Sequence, residues 1–298
     1  MDSDTTAFGR RPRRKRHMRL TPLGCLAGMP MNGQASSGYL VDSDDQMIML
    51  DAGPGTALGL SRHLATRRLD AVFISHQHTD HLYDLLPIGK MLLALRLTRD
   101  PRTLELAVDE SVARVPLFLP AGALAALQTL AALFPVTTHP LLDRAFDLAF
   151  DVHEYEPSET ALVGDTALRF ELLKHVSPNC GVRIERGDAS LVYTGDTGIT
   201  DALPLLAAGA GTLLAESTLR ESDVSGHGHL SSADAGRAAA DAGVAELILT
   251  HFTSSDPDAL EWHRDAASAQ FAGPVHLAQP EQTFTVESST APLRKATA

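Results

Sequence analysis

Cysteine is nearly missing: Cys25 and Cys180 are the only two in 298 residues, too few and too far apart for a disulfide framework. They read as reduced, buried thiols. No stretch reaches the about 18 consecutive apolar residues of a membrane span, and the N-terminus lacks the apolar middle of a secretory signal. The chain is therefore expected in the cytoplasm, away from any membrane. Cations are scarce as well, and they crowd one end. Residues 1–19 hold seven Lys or Arg against Asp2 and Asp4, so a net charge of −12 overall becomes −17 on the remainder. So acidic a body disfavours a nucleic-acid partner, whose affinity comes largely from neutralised phosphates. The basic stretch itself reads as a disordered leader over residues 1–17.

What is present is enough for a large core: 44% of the residues are hydrophobic. One domain is expected over residues 18–290, with a short tail at 291–298. Residues 18–24 start an apolar alternation, and 38–53 read as a hairpin turning at Ser43 to Asp45. Helical spacing covers 55–67, a continuous apolar strand 69–75, and a helix 85–94. Residues 104–114 read as a further helix or an irregular segment, 115–120 as a strand, and 122–134 as a helix stopped by Pro135. The second half repeats the habit. Strand 166–175 precedes a hairpin over 181–196 that turns at Arg186 to Asp188; strand 212–218, helix 231–242, strand 245–251, helix 256–270 and short strands at 274–278 and 282–286 follow. Mixed β then α, twice over, predicts an α/β protein with two sheets packed together and helices outside, a four-layer αββα sandwich.

The chemistry concentrates in "HQHTDH", residues 76–81, in the loop that leaves the apolar strand 69–75. Ligands collect at the C-terminal ends of strands in such sheets. His76 and His78, one residue apart in an extended loop, can lean toward one point, while Asp80 and His81 begin the next turn and aim elsewhere. One motif thus supplies halves of two metal sites. The missing halves stand at other strand ends, where His175, Asp196 and His251 each terminate an apolar run.

In that order, HxHxDH, then His175, then "TGDT" with Asp196, then "LTHF" with His251, the sequence resembles the metallo-β-lactamase fold hydrolases from Met18 to about Val286. Within them it is most similar to the ribonuclease Z and phosphodiesterase branch, through "DAGPGT", "ESTL" and "GHLSSADAGRAAADAGVAELILTHF". The resemblance implies two divalent ions, Zn2+ by preference, with Mn2+ or iron accepted by the same donors. It places His76, His78 and His175 on one ion, Asp80, His81 and His251 on the other, and Asp196 between them. It also implies a hydroxide shared by the ions as nucleophile, with Asp80, His229 and Glu216 as the catalytic side chains: Glu216 holds His229 as proton donor. His227 is a rival for His229, and Asp51 either supports a ligand or makes an ordinary Asx turn.

The expected activity is hydrolysis of a small phosphodiester such as a cyclic nucleotide. The alternatives are hydrolysis of a lactone, thioester or β-lactam, RNA cleavage of the ribonuclease Z kind, and oxidase chemistry on the same fold. Ribonuclease Z enzymes insert a tRNA-gripping arm between the third and fourth ligand motifs, whereas only 20 residues separate His175 from Asp196. That departure argues for a small-molecule substrate. A longer insertion lies near 84–114, where Met91, Leu92, Leu93, Leu95 and Leu97 read as a helical cap narrowing the pocket, as a homodimer contact, or as core packing.

Overall fold

The computed structural model describes residues 18–43, 45–65, 68–103, 105–133 and 135–290. The leader read at 1–17 and the tail read at 291–298 lie outside the described residues. In chain order the first half forms β1 (Met18–Leu26), β2 (Ala35–Ser36), β3 (Gly38–Ser43), β4 (Gln46–Leu50), α1 (Thr56–Leu64), β5 (Ala71–Phe73), the short α2 (Thr79–Leu82), α3 (Leu85–Ala94), β6 (Leu97–Arg99), β7 (Leu106–Val108), β8 (Val115–Pro120), α4 (Ala123–Leu133), α5 (Ala145–Leu148) and β9 (Phe150–Tyr155). The second half forms β10 (Thr160–Val163), β11 (Thr166–Leu173), β12 (Asn179–Arg186), β13 (Ala189–Tyr193), α6 (Ala202–Ala207), β14 (Thr212–Glu216), α7 (Ser232–Ala242), β15 (Glu246–Thr250), α8 (Pro257–Ser268), β16 (Val275–Leu277) and β17 (Phe284–Thr285).

Two large sheets result. One runs in the order β17-β1-β3-β4-β5-β8-β9, with β2 on β1, and the other in the order β10-β11-β12-β13-β14-β15-β16. Each starts antiparallel and turns parallel part-way, at β4–β5 in the first and at β13–β14 in the second. Crossover helices are needed only where neighbours run parallel, so each half carries its helices on one outer face. The inner faces meet in a core where Phe170 of β11 stacks on Phe73 of β5 at 5.3 Å and on Tyr155 of β9 at 4.5 Å. β5 is buried on both sides, and its alternation separates the layers. Ala71 and Phe73 face the second sheet; Val72 and Ile74 join an outer core under α1, α3, α4 and α5. Residues of α6, α7 and α8 cover the opposite face of the second sheet. This is the αββα sandwich.

The insertion departs from expectation in one respect and decides an open reading in another. Residues 106–108 form a strand that pairs antiparallel with 97–99, where a helix or irregular segment was expected. Polar Thr98, Arg99 and Glu105 leave that hairpin little apolar periodicity to read. Second, Leu92 and Leu93 of α3 are buried in the outer core, with Met91 and Leu97 packed against it. The helix is core packing on the first sheet, not a cap over the metal loop.

Candidate metal centre

The strand ends expected to carry ligands meet at one edge of the sandwich. The loop after β5 brings His76 and His78, and α2 brings Asp80 and His81; His175 follows β11, Asp196 follows β13, and His251 follows β15. The sheets approach closely here. Gly195 takes φ 57°, and a Cβ on it would sit 2.2 Å from Asn179 Oδ1 and 2.7 Å from Ser75 Cβ, so only glycine lets the end of β13 reach the metal loop. Likewise, a Cβ on Gly53 of "DAGPGT" would fall 2.0 Å from the Asp80 carbonyl oxygen.

Seven side chains fall into two sets. His76, His78, His175 and Asp196 each offer a donor atom within 4.8 Å of the others, and so do Asp80, His81, Asp196 and His251. Asp196 belongs to both, with Oδ2 3.7 Å from His76 Nε2 and Oδ1 3.3 Å and 3.4 Å from the Nε2 atoms of His81 and His251. His78 Nδ1 lies 3.2 Å from His175 Nε2, and His251 Nε2 lies 3.2 Å from both His81 Nε2 and Asp80 Oδ2. Nitrogens held at about 2.0 to 2.1 Å by one tetrahedral ion stand roughly 3.3 Å apart. The donor spacing therefore fits ions at both points. His76 Nε2 and Asp196 Oδ1 are also buried with no hydrogen-bond partner, which is costly unless something else coordinates them.

The outer atoms of the candidate ligands are held. Asp51, fully buried, accepts hydrogen bonds from Ser75 N–H (2.7 Å) and Ser75 Oγ–H (2.8 Å), from Tyr193 O–H (2.6 Å), and from His81 Nδ1–H (2.6 Å). Of the two readings of Asp51, the structure supports the one that orients a ligand. His175 Nδ1 donates to the Gly228 carbonyl at 2.9 Å, and His251 Nδ1 reaches Thr218 Oγ1 at 2.8 Å. Asp51 and His251 both sit in the left-handed region, at φ 55° and 60°. Two non-glycine residues in that conformation at one site mark backbone bent to aim side chains.

Charge follows the geometry. Burial alone would push the Asp80 and Asp196 carboxyls up, but His251 and His81 beside them hold both well below the usual carboxylate range. Burial keeps His76 and His78 neutral, the state in which imidazole can ligate. His229 is the opposite case. Burial would lower it, but the Glu216 carboxylate, 2.9 Å from its Nδ1, raises it to about 9. The His229 ring lies 5.1 Å from that of His175 and 5.9 Å from that of His251, beside both ligand sets. His227 is exposed and has no part in them, its carbonyl instead accepting from Val176 N–H at 2.9 Å. Glu216 is fixed in turn by Thr197 N–H at 2.7 Å and Thr218 Oγ–H at 2.6 Å. Thr218, Ser75 and Tyr193 were given no role in the sequence reading, although each stands inside a run that was read: Ser75 closes the strand 69–75, Tyr193 lies in the hairpin 181–196, and Thr218 ends the strand 212–218.

A family model described as a beta-lactamase superfamily domain matches residues 46–252, a span that holds all seven of these side chains and His229 with Glu216. The chain belongs to the beta-lactamase superfamily. It is similar to the Mycobacterium tuberculosis protein Rv1339, 33% identical over 278 residues that cover 90% of this chain and 92% of that one. The probable metallo-hydrolase YhfI of Bacillus subtilis is 28% identical over 240 residues, 78% of this chain and 86% of that one. Its crystal structure, which has the metallo-β-lactamase fold, superposes with a TM-score of 0.74 at 25% identity, covering 90% and 99% of the two chains. A ribonuclease Z of Streptomyces avermitilis is 28% identical over 289 residues, 87% of this chain and 94% of that one. The protein is thus a metallo-hydrolase of this superfamily, whose fold implies divalent metal ions, and its His and Asp groups are candidate ligands for them. Among the described residues, no helix is long and apolar enough to cross a membrane.

Proposed function

We propose that this superfamily member is a dinuclear phosphodiesterase that cleaves a small diester, of the cyclic nucleotide kind, and that its two ions are Zn2+. The reading rests above all on the His229–Glu216 pair set beside both ligand sets. When bound, the ions would supply an activated water at neutral pH and offset the negative charge of the diester. His76, His78 and His175 would hold one ion, Asp80, His81 and His251 the other, and the two carboxylate oxygens of Asp196 face opposite sets.

The leaving oxygen of a phosphodiester departs as an alkoxide and needs a proton. His229, raised to about 9, carries one at neutral pH, and Glu216 on Nδ1 leaves Nε2 to deliver it. Such a donor contributes about 10²- to 10⁴-fold. Asp80, held ionised by His251 and His81, keeps its oxygen toward the second set and is anchored by Gly28 N–H at 2.7 Å. A thioester, whose thiolate departs readily without a proton, gains less from such a donor.

The hairpin between the third and fourth ligand motifs supports a small substrate. β12 turns into β13 at Gly187, φ 65°, with Arg186 paired to Ala189, so the segment between His175 and Asp196 forms no arm that could grip RNA. With the acidic body this favours a small molecule, while the likeness to ribonuclease Z keeps RNA cleavage as the competing reading. The test is a panel assay of the metal-loaded chain on bis-p-nitrophenyl phosphate, cyclic nucleotides, a precursor tRNA, lactones and thioesters. Diester turnover is expected to exceed the rest. His229→Ala is expected to lose about 10²- to 10⁴-fold of it at unchanged metal content. Full turnover in that variant, or faster cleavage of the lactones, contradicts the proposal.

A further inference from the structure

The insertion after α3 plays no part in the metal centre, yet its Val112 and Ala113 help to wall a separate, partly open cavity. About 370 Å³ in volume, it is lined by Leu64 at the end of α1, Leu69 ahead of β5, and Leu92 and Leu95 around the end of α3, with Arg68 and Arg96. Ligand pockets run from roughly 300 to 1,000 Å³. Leu69 lies seven residues before His76 along an extended segment, which puts the cavity roughly 20 Å from the metal centre at the other end of the sheet.

Its charge sets it apart from the rest of the chain. The sequence carries −12, yet among the described residues the lining holds two guanidinium groups and no carboxylate. Arg96 is only 4% exposed. It donates from Nε to the Val112 carbonyl at 2.7 Å, from one terminal nitrogen to the Leu148 carbonyl, and from the other to Glu110 Oε2 at 2.9 Å. Carbonyl oxygens satisfy donors without cancelling charge. The counter-charge is Glu110, which is 79% exposed and lies outside the lining. Of the five N–H donors of a guanidinium, these bonds use three. Arg68 donates to the Ala113 carbonyl at 3.1 Å and has no carboxylate partner among the described residues. A buried cation with a weak, solvated counter-ion gains strongly from a desolvated anion.

We propose that this cavity is a binding site for a small amphipathic anion, an unbranched or compact apolar body with one carboxylate or phosphate head. The leucine wall takes the body, and Arg68 and Arg96 take the head. The site is separate from the metal centre and stands whether or not the diester reading holds.

Octanoate is the probe, titrated calorimetrically into the full-length, metal-loaded chain, with octanamide as the neutral control and octylamine as the cationic one. Octanoate is expected to bind with a Kd below about 1 mM, octanamide at least tenfold more weakly, and octylamine not at all. Arg96 also ties the insertion to the end of α5, so its replacement risks the fold; Arg68→Ala and Leu64→Trp leave those bonds intact. Arg68→Ala is expected to weaken octanoate at least tenfold, and Leu64→Trp, which fills the space, to abolish binding. No binding of octanoate up to about 10 mM, equal binding of octylamine, or wild-type affinity in either variant, as when the carboxylate sits on the metals instead, overturns the proposal.

Discussion

Asp51→Asn perturbs the metal centre without touching a ligand. Asparagine keeps the size of the side chain and tolerates the left-handed backbone at φ 55°. Its effect therefore comes from one charge and one acceptor. Oδ2 of Asp51 accepts from Ser75 Oγ–H, Tyr193 O–H and His81 Nδ1–H, and Oδ1 from Ser75 N–H. An amide NH2 at Oδ2 would confront three donors, so it must turn to Oδ1 and confront one. That leaves a buried donor unmet, at a cost of about 1 to 3 kcal/mol in folding stability. The lost charge also makes His81 a poorer ligand, and removal of such a supporting carboxylate typically costs about 10- to 100-fold in metal affinity, or roughly 1.4 to 2.7 kcal/mol. Chelator competition should show the loss in the ion held by Asp80, His81 and His251, with a smaller change in the other. Urea unfolding of the metal-free chain should show the stability loss separately. Wild-type affinity for both ions, with unchanged stability, would refute the role given to Asp51.

Phe170→Ala should cost about 3 to 5 kcal/mol in urea unfolding, because its ring stacks on Phe73 and Tyr155 between the sheets; a loss under about 1 kcal/mol would mean that it does not join them. His263, hydrogen-bonded to Ser232 at 2.6 Å, is pushed down to about 4 by burial and then by Arg220. The unfolded chain, where this histidine titrates near 6.5, then binds more protons between pH 6.5 and about 4. Stability should therefore be flat in this group above 6.5 and fall as pH drops through that window, and His263→Gln should remove its part of the slope; an unchanged slope contradicts the assignment.

Much of the fold was legible because buried strands and long helices leave strong patterns. The cores of those strands, 71–74, 213–215 and 247–249, are apolar without break, since β5, β14 and β15 are buried on both faces. β9 and β10 left no comparable trace. They are edge strands, and Phe150–Tyr155 buries only its ends, so "FDVHEY" shows neither a run nor a clean alternation. The candidate ligands were legible for a related reason: His175, Asp196 and His251 are polar residues just past apolar strands, and the other four crowd the one loop and turn after β5. What supports them was not. Thr218 after β14 meets His251 after β15, Tyr193 of β13 meets Asp51 after β4, and no spacing in the chain encodes those meetings. The cavity behind α3 was equally hidden, because its lining comes from α1, α3 and the approaches to β5 and β8.

The central claim is a pair of ions sharing Asp196, and anomalous scattering from crystals of the metal-loaded chain tests it most directly. Two peaks about 3.5 to 4 Å apart are expected, one contacting His76, His78 and His175, the other Asp80, His81 and His251, with one oxygen of Asp196 toward each. A single peak, or two that leave Asp196 uncoordinated, would contradict the account.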